Sequence, residues 1–216
     1  MHFFSLLFEN LITDSNSIFK NAYKQNLIEI SVSGSSSQYI NGSWQITQPM
    51  FAVDQIDKDY DWCSNCGKID DMFPWAVYSL KNKNMKINGY YIKSGCCGAT
   101  SSCCCMESDY CCDCCLYSWS FQISNDNKTW KTVHKVEKDY DMRRCKSKTY
   151  KFSETYQTKF VRLIQDESCP GEPPCIAINK LELLGTYNNI DDNEYQEFVN
   201  EDDDVSIIGH ISHNKI

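Results

Sequence analysis

Residues 118–130 read SWSFQISNDNKTW, and their pattern predicts the fold class. In its first seven residues apolar and polar side chains alternate, so the three large apolar ones share one face, as in a half-buried strand. The run Asn125-Asp126-Asn127 favours a tight turn, and a second alternating stretch follows it. The segment therefore predicts two antiparallel strands joined by a short connection.

Segments of the same kind recur along the chain, separated by turn-forming residues and without a comparable helical period between them. They are residues 27–32, 75–80, 87–93, 149–152, 160–164 and 176–184. Short alternating strands at this spacing predict an all-β, antiparallel sandwich or barrel. We therefore predict one β domain over residues 27–187, a lead-in over residues 1–26 and a disordered acidic tail over residues 188–216.

Charge is distributed unevenly over the 216 residues, whose net charge is −8. The tail holds eight carboxylates and a single lysine, Lys215, so the body of the protein is nearly neutral. A nucleic-acid surface needs clustered Lys and Arg, so we expect no nucleic-acid partner. No run of eighteen apolar residues occurs, so we expect no membrane span.

The cellular location stays open between two alternatives. The lead-in begins with an apolar stretch that Glu9 interrupts, and it resembles a secretory signal only poorly, although it could be a degenerate one. Two N-x-S/T sequons, at Asn41 and Asn127, and an even number of cysteines lean towards export or the cell surface. The weak signal segment leaves a cytoplasmic location as the alternative.

The order of the strand segments resembles the discoidin domain, also called the coagulation factor V/VIII type C domain, which is galactose-binding-like in fold. The matching pieces are residues 31–36, 51–54, 61–64, 74–80, 87–90, 118–130, 160–163 and 181–185. The resemblance implies an eight-stranded antiparallel jelly roll whose loops at one end bind ligands. It implies a non-catalytic recognition or adhesion module for carbohydrate or a glycoprotein surface, with a lipid head group or a protein as other partners.

Two departures from the family pattern bear on the predicted sites. Sugar-binding relatives often contain a structural calcium, with a carboxylate two residues before the Glu of the closing strand. Here Lys180 occupies that position, before Glu182, although Asp54, Asp57 and Asp59 remain. The short connection before the strand at 118–124 is replaced by a cysteine-rich insert, residues 95–115.

Fourteen cysteines allow two interpretations of this insert, which contains nine of them. In an oxidising compartment they would form a disulfide-stapled loop, and in a reducing one the C-x-x-C steps favour zinc. We favour disulfides; Cys145 is a candidate outside partner of the insert, and Cys169 and Cys175 could close a small loop of their own. The candidates are Cys63, Cys66, Cys96, Cys97, Cys103, Cys104, Cys105, Cys111, Cys112, Cys114, Cys115, Cys145, Cys169 and Cys175.

Candidate ligand contacts lie in the predicted loops. Tyr60, Trp62 and Tyr110 could stack on a sugar ring, although Trp62 fits a packing role better in the family pattern. The carboxylates Asp57 and Asp59, together with Asp61, could accept sugar hydroxyls. No motif for a nucleophile, a metalloprotease or a paired acid and base is present, so we predict that the protein is not an enzyme. The competing hypothesis is an intracellular scaffold or thiolate-zinc protein that uses the insert.

Overall fold

Two antiparallel sheets face each other and enclose one hydrophobic core. The computed structural model describes residues 16–55, 58, 60–65, 73–96 and 116–189. Its elements are α1 (Ile18–Lys24), β1 (Ile28–Val32), β2 (Ser37–Ile40), β3 (Ser43–Ile46), a 3₁₀ helix (Pro49–Ala52), β4 (Trp62–Cys63), β5 (Trp75–Leu80), β6 (Lys83–Ser94), β7 (Ser118–Ser124), β8 (Lys131–Val136), β9 (Ser147–Thr158), β10 (Phe160–Glu167) and β11 (Ala177–Asn189).

The strand order is that of a jelly roll. One sheet has the order β1-β5-β10-β7-β8 and the other has the order β4-β11-β6-β9, while β2 and β3 form a separate hairpin. Since β4 is only two residues long, eight longer strands make up the two sheets. The predicted all-β jelly roll is confirmed.

Alternation along the strands builds the core. In β7 the side chains of Trp119, Phe121 and Ile123 are buried, as the sequence pattern predicts. The ring of Tyr90, from the opposite sheet, stacks on Phe121 with centroids 4.5 Å apart. Its hydroxyl accepts a hydrogen bond from Trp119 Nε1 at 3.0 Å, and it lies 2.9 Å from His134 Nδ1. The aromatic side chains therefore tie the two sheets together.

Residues 16–26, which the sequence places in the lead-in, take part in this core. Ile18, Phe19 and Ala22 of helix α1 are buried. The carboxylate of Glu182 in β11 accepts hydrogen bonds from the backbone N–H groups of Phe19 at 2.6 Å and Lys20 at 3.0 Å. It thereby caps the helix, whose N-cap residue makes no side-chain cap bond. The folded unit therefore includes helix α1.

The two ends of the roll differ in the length of their connections. At one end β5 joins β6 through Lys81 and Asn82, and β9 joins β10 through Lys159 alone. At the other end lie the long segments between β4 and β5, between β6 and β7, and between β10 and β11. Within the described part of the chain, no helix has the length and apolar character needed to cross a membrane.

Candidate functional site

We call the end of the roll with the long connections the loop end. Backbone hydrogen bonds hold its segments together. Gly95 N donates to the carbonyl of Ala177, and Cys145 N donates to the carbonyl of Gly95. Ser64 N donates to the carbonyl of Ile176. The starts of the insert, of β11 and of the segment after β4 are therefore held in a fixed relation to one another.

A disulfide adds a covalent link at the loop end. Cys96, the first cysteine of the insert, is bonded to Cys145, 49 residues away, with the two Cα atoms 4.4 Å apart. This confirms Cys145 as an outside partner of the insert. Cys63 and Cys169 are also disulfide-bonded. The described cysteines are thus mainly cross-links, as the stapled-loop interpretation requires.

One cysteine pairing predicted from the sequence is wrong. Cys169 is disulfide-bonded, but Cys175 is a buried thiol, so these two do not close the loop between them. Six residues of separation placed them near each other along the chain, whereas pairing depends on which strand ends meet in the fold. The remaining candidates lie outside the described residues: Cys66, Cys97, Cys103, Cys104, Cys105, Cys111, Cys112, Cys114 and Cys115.

Asp61 lies at the centre of a buried polar network at the loop end. Its Oδ2 accepts hydrogen bonds from Cys96 N at 2.8 Å and Gln38 Nε2 at 3.3 Å, and its Oδ1 accepts one from Asn179 Nδ2 at 3.1 Å. Gln38 returns a bond, since its Oε1 accepts from Asp61 N at 2.8 Å. Asp61 is completely buried, so it organises the loops and has no surface to offer a sugar hydroxyl.

Three exposed apolar side chains of the described residues lie together on the hairpin β2–β3 at the loop end. Its turn is Asn41-Gly42, both with positive φ, and it pairs Tyr39 directly with Trp44. These two rings pack edge to face, with centroids 5.8 Å apart, yet each residue is 47% exposed. Ile46, on the same face, is 64% exposed. The hairpin thus shows one apolar, aromatic face to solvent.

The opposite face of the hairpin fixes it to the roll. Gln38 and Ile40 are buried, and Thr47 Oγ1 donates to the carbonyls of Ser36 and Cys63 at 2.9 and 3.0 Å. Cys63 is paired in turn with Ala177 at the start of β11. The aromatic face is therefore mounted on rigid backbone at the loop end.

The residues predicted as ligand contacts differ in how far they are exposed to solvent. Trp62 is fully buried, and its Nε1 donates to Ser35 Oγ at 3.0 Å, so it offers no surface to a ligand. Tyr60 is partly buried, and its ring packs against Phe51 with centroids 4.8 Å apart. Burial and the nearby carboxylate of Asp54 raise the pKa of Tyr60. Asp57, Asp59 and Tyr110 lie outside the described residues.

Tyr39, Trp44 and Ile46 were not predicted from the sequence as site residues. A usable pattern was present, because Asn-Gly between alternating residues is a strong indication of a two-residue hairpin. In such a hairpin the residues on either side of the turn face each other in pairs. The same Asn41-Gly42-Ser43 triplet also fits a glycosylation sequon.

Solved structures similar to this chain share its fold. CpGH89CBM32-5 of Clostridium perfringens, in complex with GalNAc-β-1,3-galactose, matches with a TM-score of 0.53 and 11% identity over 77% of this chain and 98% of its own. The family 32 carbohydrate-binding module of C. perfringens NanJ, in complex with galactose, matches with a TM-score of 0.52 and 10% identity over 80% and 98%. A fucolectin from Morone saxatilis (striped bass) matches with a TM-score of 0.52 and 13% identity over 79% of this chain and 49% of its own.

No family model and no curated protein matches the chain. At these identities the comparisons show the fold, which is that of discoidin-like, galactose-binding-like domains. The resemblance found in the sequence is therefore confirmed at the level of the fold.

Proposed function

We propose that this protein is a non-catalytic recognition module that binds carbohydrate at the loop end, with Tyr39 and Trp44 as the stacking surface. The observation that carries the proposal is the pair of half-exposed rings on a fixed hairpin. A pyranose has an apolar face of C–H groups, which packs well on Tyr and Trp rings. Apolar surface that contributes nothing to a core is typical of a contact site.

Two further observations support a carbohydrate over other partners. The two C. perfringens modules that share the fold were solved with galactose-containing sugars. The buried carboxylate of Asp61 at the loop end also has its hydrogen bonds supplied by the chain, so a ligand would meet a preorganised surface there. Asp57, Asp59 and Tyr110 stay predictions as further contacts.

The proposal includes the absence of catalysis. His134, the histidine of the β sandwich, has Nδ1 beside the hydroxyl of Tyr90 and its ring beside that of Tyr150, with centroids 4.7 Å apart. Burial lowers the pKa of His134. Its surroundings are aromatic, and this contact network gives it a structural role between the sheets rather than the role of an acid or base.

A glycan array probed with the full chain tests the proposal, followed by titration with galactose and N-acetylgalactosamine. We expect binding, and we expect the double variant Tyr39→Ala/Trp44→Ala to lose at least about tenfold in affinity while remaining folded. Tyr23→Ala is the matched control, since Tyr23 is an exposed aromatic residue on helix α1 and should leave binding unchanged.

Two results would refute this function. One is a folded wild-type protein that binds no glycan on the array. The other is a double variant that binds sugar as tightly as the wild type, which would move the site away from the hairpin. Binding to phospholipid vesicles without binding to glycans would point instead to a lipid head group as the partner.

A further inference from the structure

Lys58 places a positive charge inside the loop end. Its Nζ donates hydrogen bonds to the carbonyl oxygen of Phe51 and to Oδ1 of Asp54. The side chains of Lys58 and Asp54 are only 3% and 6% exposed. The same nitrogen lies over the rings of Phe51 and Tyr60, at 5.8 and 5.4 Å from their centroids. A carbonyl, a carboxylate and two aromatic faces therefore surround one cation of the chain itself.

The backbone around Lys58 is anchored to the second sheet. Asn179 of β11 donates from Nδ2 to the carbonyls of Lys58 at 3.1 Å and Tyr60 at 3.2 Å, as well as to Asp61. The lysine thus joins the end of the 3₁₀ helix to a segment that β11 holds in place. Burial lowers the pKa of Lys58, whereas its hydrogen bond to Asp54 raises it.

The residues here do not fit the calcium ion that the family resemblance implies. Calcium takes six to eight oxygen ligands, several of them carboxylates. Asp54 is paired with Lys58, and Glu182 is bonded to the backbone N–H groups of helix α1. Lys180 adds a second positive charge near Lys58. Among the residues that the structure describes, the carboxylates of Asp54 and Glu182 are therefore already engaged by groups of the chain.

We propose that Lys58 acts as a built-in cation that replaces calcium, so that the order of the loop end, and any binding there, is independent of the metal. The proposal concerns the scaffold and does not depend on which ligand the loop end recognises. A lysine side chain is part of the polypeptide, so a chelator cannot remove its charge. A chelator can remove a bound calcium ion.

The first test measures the melting temperature of the full chain after removal of metal, with EDTA and then with millimolar CaCl2. We expect the two temperatures to agree within about 1 °C, because no calcium binds the folded state. A rise of several degrees in CaCl2, or stoichiometric calcium in native protein by elemental analysis, would overturn the proposal. Both readouts work whether or not a glycan ligand is found.

The second test removes the cation by Lys58→Met, which keeps most of the apolar stem but leaves Asp54 buried without its ion-pair partner. We expect the melting temperature to fall by roughly 10 °C. The control is Lys135→Met, which breaks an exposed pair with Glu137 and should change it by less than about 3 °C. Equal effects of the two substitutions would overturn the proposal.

A double variant separates the charge from the packing of the lysine stem. Asp54→Asn combined with Lys58→Met leaves no uncompensated charge, so it should melt at a higher temperature than Lys58→Met alone. A double variant that melts no higher than the single one would show that the ion pair is not what holds this segment. If Lys58→Met does not fold, the comparison of EDTA with CaCl2 on the wild type still decides the matter.

Discussion

Glu182 links helix α1 to the sheet, and its titration should be visible in the stability of the protein. The carboxylate accepts from the N–H groups of Phe19, Lys20 and Leu183, and it is only 7% exposed. Burial raises the pKa of Glu182 from 4.5 to about 7, although these hydrogen bonds and the charge of Lys180 oppose the rise. Between about pH 4.5 and about pH 7, Glu182 is therefore protonated in the folded state, whereas the unfolded chain has released that proton.

The direction and size of the effect follow from this difference. Below about pH 4.5 Glu182 is protonated in both states, so it does not change the unfolding free energy. As the pH rises, the unfolded chain loses the proton first, so the unfolding free energy falls between about pH 4.5 and about pH 7 and levels off above that range. Raising the pKa from 4.5 to about 7 corresponds to about 3 kcal/mol of unfolding free energy.

The variant Glu182→Gln isolates this group, because the amide keeps an oxygen acceptor but does not titrate. Urea unfolding of both proteins between about pH 4.5 and about pH 8 gives the difference in their unfolding free energies. We expect the wild type to lose about 3 kcal/mol relative to the variant over this range. Other titrating groups, His134 among them, are common to both proteins and cancel in the difference.

The opposite trend would refute the reasoning. If the helix N–H groups outweigh burial, the folded-state pKa lies below 4.5, and the wild type gains on the variant as the pH rises from about 3 to about 4.5, so the comparison is extended down to about pH 3. A difference that stays constant with pH would show that Glu182 is solvated in the folded state. Each result identifies which of the two physical effects decides the charge of this residue.

Three further changes test the cross-links and the sheet geometry. Cys145→Ser removes the disulfide to Cys96 and should lower the unfolding free energy by about 2–4 kcal/mol; no change in the urea midpoint would contradict this. Tyr90→Phe deprives the buried Trp119 Nε1 of its acceptor, and calorimetry should show a loss of about 1–3 kcal/mol that Tyr23→Phe does not cause. Gly185→Ala, at a φ of +146°, would press a Cβ on the carbonyl of Lys86 and should cost about 2 kcal/mol or more in urea; an unchanged midpoint would refute it.

The sheets could be predicted from the sequence because the alternation of apolar and polar residues along a strand indicates which side chains face the core. In β7 the large apolar residues Trp119, Phe121 and Ile123 alternate with polar ones and face the core, which is the pattern that predicts a strand. The serines of β7 are buried as well, which the alternation does not predict. Helix α1 was missed because seven residues are too few to establish a helical period. Its position depends on Glu182, which lies more than 160 residues further along the chain. Such a contact leaves no local pattern to find.

The loop end was harder to predict for the same reason. Asp61 follows the candidate carboxylates Asp57 and Asp59 in the sequence, and by composition it looks like another exposed acid. It is buried because Gln38 and Asn179, from 23 and 118 residues away, supply its hydrogen bonds. Cys175 is similar, since its proximity to Cys169 along the chain suggested a bond that the fold does not form.

The two faces of the hairpin β2–β3 differ in whether their side chains are buried against the protein or exposed to a possible ligand. Apolar side chains in strands normally gain stability by burial, at about 25 cal/mol per Å² of apolar surface. Burial contributes little of this stabilisation at Tyr39, Trp44 and Ile46, since each side chain keeps roughly half or more of its surface in solvent. The rings contact each other, but the hairpin is held by Gln38, Ile40 and Thr47 on its other face. Because these side chains gain little from burial, the proposed binding of a ligand gives their aromatic character a reason that the fold alone does not.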